Sequence, residues 1–330
     1  MKTPNGKVFV KRHHFSVRDA EGLREEHGFI EYLAGRTDLV QPALAREDGE
    51  TVATEGDWSY EVHPLARGVD AYEEALSWTP FMSVEHARAA GRAMAQLHRA
   101  AEGYEAPARK ARQLVTSFTL FAGGDPIAAA EDYLKPRAEL RGYLEQSMWR
   151  ESFQEIILPL YAKLAPWVGC LEPLWTHNDL HASNMTWATD GDSGEVTGVF
   201  DFGLADRTNA VHDIATAIER NIVEWLRIGE PGIVHFDQLD ALLRGYEELL
   251  PLGYEQAQAL VALLPLVHCE FALSEADYFL SILRSEEKAD LAWDGYFLGH
   301  ERWFGGAEGR ELISYLERWA AGKLRVERKR

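Results

Sequence analysis

His177-Asn178-Asp179-Leu180-His181-Ala182-Ser183-Asn184, followed seventeen residues after Asn184 by Asp201-Phe202-Gly203, is the stretch on which the reading of this chain turns. Between the two lies a strand-turn-strand pattern: Met185 to Ala188, a turn through Asp190-Gly191-Asp192-Ser193-Gly194, then Val196 to Phe200. Asp, Gly and Ser clusters favour turns, and the flanking apolar residues favour strands. A hairpin returns its two ends to one place, so Asp179, Asn184 and Asp201 are expected to converge. Two carboxylates and an amide oxygen are hard donors, which suit Mg²⁺ and not Zn²⁺. Mg²⁺ held by few protein ligands usually also takes substrate phosphates, so the pattern points to metal-assisted phosphoryl transfer. Two plainer readings compete. Asp and Asn also cap hairpin turns, and His177, Asp179 and His181 could be a zinc set, although no third nitrogen or sulfur ligand stands near them.

Upstream, Asn5-Gly6 is a two-residue hairpin signal, followed by Lys7-Val8-Phe9-Val10-Lys11, which alternates as a half-buried strand does. Leu23, His27, Ile30 and Leu33 recur at helical spacing within 19–33. Short strands are expected over 40–46, 51–54 and 58–62. Past about residue 66 helices dominate. Ser83 is a good N-cap for one running to about Ala101, and others are expected over 127–165 (with breaks), 209–228, 235–250, 254–283 (broken at Pro265) and 308–323. The division is thus a small β-rich part, residues 1–66, and a large helical part, residues 67–330, which carries the hairpin.

Composition bounds the rest. The 330 residues leave room for roughly two domains. With 46% hydrophobic residues and ten Trp there is material for a sizeable core, which excludes a disordered chain or a disulfide-stapled miniprotein. Thirty-four Lys and Arg against 53 Asp and Glu give a net charge of −19, a poor match to nucleic acid or anionic lipid. The basic cluster at Arg325 and 327–330 reads as a solvated terminus. Cys170 and Cys269 match no metal spacing and fit a reducing compartment. The N-terminus has no signal-peptide core, and the apolar run Ala259 to Val267 is about half a membrane span. A cytoplasmic protein with no membrane or nucleic-acid partner is expected.

The pattern His-x-Asp-x-x-x-x-Asn followed by Asp-Phe-Gly resembles the catalytic loop and metal motif of the protein-kinase-like fold. In the form His-Asn-Asp-Leu-His-x-x-Asn it is similar to the aminoglycoside phosphotransferases and the related choline, homoserine and fructosamine kinases. Gly91 to His98 resembles that family's first large C-lobe helix, Asp213 its downstream Asp-Leu-Ala-type element, and Gly245-Tyr246 its later Gly-Tyr. The likeness runs from about residue 8 to about 250. It implies an α+β, two-lobed fold with a small β-rich N-lobe for nucleotide and a larger, mainly helical C-lobe. It implies ATP or GTP with Mg²⁺ as cofactors, and a small-molecule hydroxyl as acceptor: an aminoglycoside or other antibiotic, an amino alcohol or a sugar.

Carried over residue by residue, the resemblance makes Asp179 the group that orients the acceptor hydroxyl, with or without taking its proton. Asn184 and Asp201 would hold Mg²⁺, and Lys11 would pair with the α- and β-phosphates. Glu25 or Glu26 would hold Lys11, and backbone near Val62, His63 and Leu65 would meet the adenine edge. His177 reads as a structural hydrogen-bonding residue. On the acceptor side, Asp213, Glu270, Glu275 and Asp277 would suit an amine-bearing substrate, although a charged helix face is more commonly just solvated. Residues 109–170 could cover the acceptor cleft.

The pattern departs from the family at the start. Only ten residues precede Lys11, so the first strand and the phosphate-covering loop are expected to be missing. That loop's backbone N–H groups cradle phosphates and exclude water. Two further readings follow: an impaired nucleotide-binding scaffold, and a kinase of protein Ser/Thr. The sequence leaves ATP against GTP, the acceptor and the oligomeric state open.

Overall fold

The computed structural model describes residues 1–3, 6–191 and 194–327. The expected Asn5-Gly6 turn and the middle of the 190–194 turn include residues outside these. The N-terminal sheet has the order β1-β2-β4-β3, from β1 (Lys2–Thr3), β2 (Gly6–His14), β3 (Val52–Glu55) and β4 (Trp58–Pro64). β2 and β4 run antiparallel from Val8 opposite Pro64 to His14 opposite Trp58, which sets Lys11 opposite Glu61. Residues 40–46, expected to be a strand, are irregular instead. Pro42 has no N–H to give to a ladder, and the segment touches β4 through Leu44 N to Val62 O at 2.7 Å.

Helix α1 (Ala20–Ala34) follows β2. The Asp19 carboxylate accepts from Gly22 N at 2.8 Å, satisfying one of the N–H groups a helix start leaves unpaired. Its inner face buries Leu23, Glu26, His27, Ile30 and Leu33. Helix α2 (Val84–Ala101) begins on the expected cap, with Ser83 Oγ accepting from His86 N at 3.1 Å. It is rich in Ala and packs against the helix Phe236–Glu247. The contact is closest at two glycines. A Cβ on Gly91 would stand 2.0 Å from Leu242 O, and one on Gly245 would stand 1.9 Å from Arg88 O. His98 Nδ1 and the Tyr246 hydroxyl then meet at 2.9 Å. The expected helical elements Gly91–His98 and Gly245-Tyr246 are therefore one packing motif.

Strand β5 (Pro173–Thr176) leads into the motif loop. The hairpin β6 (Met185–Trp187) and β7 (Val196–Val199) pairs Met185 with Val199 and Trp187 with Val196. Strand β8 (Asp206–Asn209) follows and leads into the helix Ala210–Ile222.

By its internal contacts the chain forms two compact units. One comprises residues 1–112, 174–207 and 220–251, and holds every element described so far except Pro173 of β5, Thr208 and Asn209 of β8, and residues 210–219 of the helix Ala210–Ile222. The other comprises residues 113–173, 208–219 and 252–330. Past residue 125 its longer segments are mostly helical, around an aromatic core in which Phe153 and Phe297 stack at 5.7 Å and Trp293 and Phe297 at 4.7 Å. The expected break at Pro265 is a short 3₁₀ turn, Leu264–Leu266, between the helices Tyr254–Leu263 and Cys269–Ser281. Residues 254–281 are long and apolar enough to cross a membrane, but 83% of their most apolar window is buried in the protein, as a core element is. Further helical turns between Glu286 and Phe304 were not expected.

Candidate active site

The motif loop and the Asp-Phe-Gly turn are held by hydrogen bonds between distant parts of the chain. His177 Nε2 meets Phe200 O at 2.9 Å, and Asp179 N donates to His177 Nδ1 at 3.3 Å. The ring therefore donates from Nε2 and accepts at Nδ1, joining the motif loop to Phe200. Asn178 Nδ2 donates to Leu204 O at 3.2 Å. Asn221 receives Ala182 N at 2.9 Å and donates to Leu180 O at 3.0 Å, clamping the loop from its other side. Phe202 lies under the loop, 4.6 Å from the His177 ring and 6.0 Å from Phe29.

Two residues of this region, Asn178 (φ 61°) and Asp201 (φ 60°), are left-handed without being glycine. Such backbone costs on the order of 1–3 kcal/mol and persists where the surroundings over-determine it. Here the Gly203 carbonyl, two residues past Asp201, accepts from Arg109 Nη1 at 2.9 Å and Arg18 Nη2 at 3.1 Å. Arg109 also reaches Ala205 O, Gly22 O and the Glu26 carboxylate, while its backbone N–H donates to Asp206. Burial, reinforced by the neighbouring Arg109 charge, pushes Arg18 down to about 10. Sequence reasoning missed both arginines.

Asp179 and Asn184 meet as expected, with Asn184 Nδ2 donating to Asp179 O at 2.8 Å and lying 3.3 Å from Asp179 Oδ2. With its nitrogen so engaged, the Asn184 amide oxygen is the atom suited to a cation. Asp179 Oδ1 lies 3.3 Å from Nε of the buried Arg220, and Oδ2 lies 3.6 Å from His181 Nε2. Arg220, whose guanidinium sits 5.1 Å from the Trp78 ring centre, is a further group the sequence did not single out.

Lys11 Nζ donates to Asp201 Oδ1 at 2.7 Å. Burial pushes the Asp201 carboxyl up, but the Lys11 charge and hydrogen bond outweigh it and its pKa is lowered. Lys11 is the mirror image. Burial lowers it, but the charge and hydrogen bond of Asp201 with the charges of Glu61 and Glu26 together raise it. Neither glutamate of the expected pair binds Lys11 directly. Glu26 is buried at 3.3 Å from Arg109, and Glu25 accepts from Lys110 N at 3.2 Å. Glu26 faces inward and acts on Lys11 through its field.

A cleft of roughly 310 Å³ opens beside this pair, lined among others by Lys11, His63, Leu65, Gly68, Thr197 and Asp201. His63 and Leu65, expected to meet the adenine edge, both line this cleft. Val62 does not line the cleft; it pairs with Val10, and its carbonyl is taken by Leu44 N.

The expected acceptor-side acids stand differently. Asp213, Glu270 and Asp277 are all buried. Glu270 accepts from Ser117 Oγ, Thr119 N, Thr119 Oγ1 and Leu120 N, so it clamps residues 117–120. Asp277 faces Arg137 at 3.6 Å and Gln113 at 3.4 Å. These three are interior groups, and the latter two are met by donors of their own chain. Glu275, on the same helix, is half-buried.

A profile described as the phosphotransferase enzyme family matches residues 1–260. The chain belongs to that family. A homoserine kinase of Rhizobium etli (strain CIAT 652) is 25% identical over 238 residues, 72% of this chain; the match spans 63% of that relative's length. Among solved structures, the amicoumacin kinase hAmiN in complex with AMP-PNP, Ca²⁺ and Ami superposes with a TM-score of 0.59 at 18% identity, covering 91% of this chain and 84% of that one. An aminoglycoside phosphotransferase from Alicyclobacillus acidocaldarius gives a TM-score of 0.49 at 16% identity, covering 97% and 89%. The fold is the expected α+β kinase-like one.

Proposed function

We propose that this phosphotransferase moves the γ-phosphate of ATP or GTP to a hydroxyl of a small molecule. Residues 1–66 would be its nucleotide-binding part, and residues 67–330 its catalytic and acceptor-binding part. The observation that carries the reading is a pair of contacts beside the Asp-Phe-Gly turn: Lys11 on Asp201 at 2.7 Å across 190 residues of chain, and Asn184 on the Asp179 carbonyl at 2.8 Å, with Asn184 O receiving Phe200 N at 3.1 Å.

Asp179 is the group that receives the acceptor hydroxyl, orients it in line with the phosphate and takes its proton. Arg220 and Asn184 fix the carboxylate for that task. The carboxylate of Asp201, half-exposed beside the cleft, and the amide oxygen of Asn184 are the hard donors that fit Mg²⁺. When bound, the metal would neutralise charge on the phosphate oxygens. Lys11 then serves the α- and β-phosphates, and the His63–Leu65 segment meets the base. Homoserine, amicoumacin and aminoglycosides are the first acceptors to try, from the names of the relatives.

The test is calorimetric titration of ATP and GTP with and without Mg²⁺, with Asp201→Asn as control, followed by an acceptor screen. Binding that needs metal and Asp201, with phosphate transfer to one acceptor, supports the proposal. Nucleotide binding with no transfer to any small molecule or protein favours a non-catalytic scaffold, and transfer to protein Ser/Thr alone favours a protein kinase.

A further inference from the structure

One carboxylate in the N-terminal sheet is surrounded in a way the phosphotransferase reading does not use. Glu61 on β4 is almost fully buried, and three imidazoles converge on it. His27 Nε2 from α1 lies 2.7 Å from Oε2, His63 Nε2 from β4 lies 2.8 Å from the same oxygen, and His13 Nε2 from β2 lies 2.8 Å from Oε1. The ligand atoms of His27, His63 and Glu61 all fall within 4.8 Å of one another.

We propose that His27, His63 and Glu61 form a binding site for a Zn²⁺-class divalent cation, with His13 steadying the second carboxylate oxygen. Two imidazole nitrogens and one carboxylate oxygen are a donor set this ion accepts, with a fourth position left for water. Tetrahedral bonds of about 2.0–2.2 Å place ligand atoms roughly 3.3 Å apart, so the side chains need to part by only about half an ångström. Second-shell support is present. His27 Nδ1 lies 2.8 Å from Thr51 Oγ1, which can take the Nδ1 proton and leave Nε2 free to ligate. The ion pairs of Glu61 among the described residues are with imidazoles alone.

A second cluster, His268, Cys269 and Glu301, also brings three ligand types together. Burial there pushes the Cys269 thiol and the Glu301 carboxyl well up. A metal would have to expel two protons inside a dry core, so the Glu61 cluster is the one assigned. Its ion would tie α1, β2 and β4 together behind the cleft, whose wall includes His63.

The full chain, stripped with chelator, is dialysed against Zn²⁺ and its metal content measured, then loaded with Co²⁺ for visible spectroscopy. The site predicts one equivalent retained, a tetrahedral Co²⁺ spectrum without a sulfur charge-transfer band, and at least about 100-fold weaker retention in His63→Gln and His27→Gln. Retention should be unchanged in Asp201→Asn and Cys269→Ser. His63 is partly exposed, so His63→Gln keeps the test valid if the His27 variant fails to fold. No retained metal overturns the proposal. So does retention that survives both histidine substitutions or is lost with Asp201 or Cys269.

Discussion

Gly91 and Gly245 let two helices touch backbone to backbone: the nearest atoms to an added Cβ are the carbonyl oxygens of Leu242 and Arg88, at 2.0 and 1.9 Å. Neither oxygen belongs to a flexible side chain, so neither can swing aside. Gly91→Ala or Gly245→Ala should force the helices apart and cost about 2–4 kcal/mol, beyond the usual 1–3 kcal/mol of overpacking. Ala at Gly142, where nothing lies within 4 Å, should be neutral or stabilising. Urea midpoints of the three variants check this.

Asp179 and Asp201 should separate kinetically. Asp179→Asn is expected to lower turnover by about 10²–10⁴-fold, the usual worth of a positioned acid–base group, with nucleotide affinity nearly unchanged. Asp201→Asn should instead weaken Mg²⁺-dependent nucleotide binding. Equal losses of binding in both would mean that the two roles are misassigned.

Arg109 is buried, and its guanidinium serves Gly203 O, Ala205 O, Gly22 O and Glu26 together. Arg109→Met would leave the Glu26 carboxylate buried without its cation, at a cost of about 3–5 kcal/mol. The double variant with Glu26→Gln should recover part of that loss. A chemical-denaturation cycle over the two residues measures the coupling, and simple additivity would refute it.

His212 gives a pH signature. Burial pushes it from the ordinary 6.5 down to about 4, with the Asp213 charge opposing. Between those two values the unfolded chain binds a proton that the native chain refuses. Stability should therefore fall as pH drops from about 6.5 to 4, by on the order of 3 kcal/mol, and level off below. In His212→Gln the slope attributable to this residue should vanish, as urea unfolding across that range would show.

The catalytic loop was legible because its chemistry is local: Asp179, Asn184 and Asp201 are spaced by one loop and one hairpin, and short spacing survives in a sequence. Helix starts at Asp19 and Ser83 were legible for the same reason. Arg18 and Arg109 were not, because their common partner Gly203 lies 185 and 94 residues away, and an arginine by itself looks like surface charge. That Glu26 turns inward to Arg109 while Glu25 meets Lys110 N could be seen only once the direction in which α1 faces was known. Glu270 and Asp277 looked like a charged helix face because a sequence displays acids and hides the donors that come to meet them. Residues 286–304 escaped because π-helical turns blur the 3.6-residue period on which helices are recognised.

The ion pair of Lys11 and Asp201 spans 190 residues of chain, and it makes the lysine a rival of any cation that seeks that carboxylate. Occupancy there becomes an exchange. The ammonium must let go before a divalent ion can take hold, and the phosphates that arrive with the ion give it somewhere else to go. At Asp201, therefore, the nucleotide-free protein should take up Mg²⁺ only reluctantly, and replacing Lys11 with methionine should make that carboxylate a readier ligand.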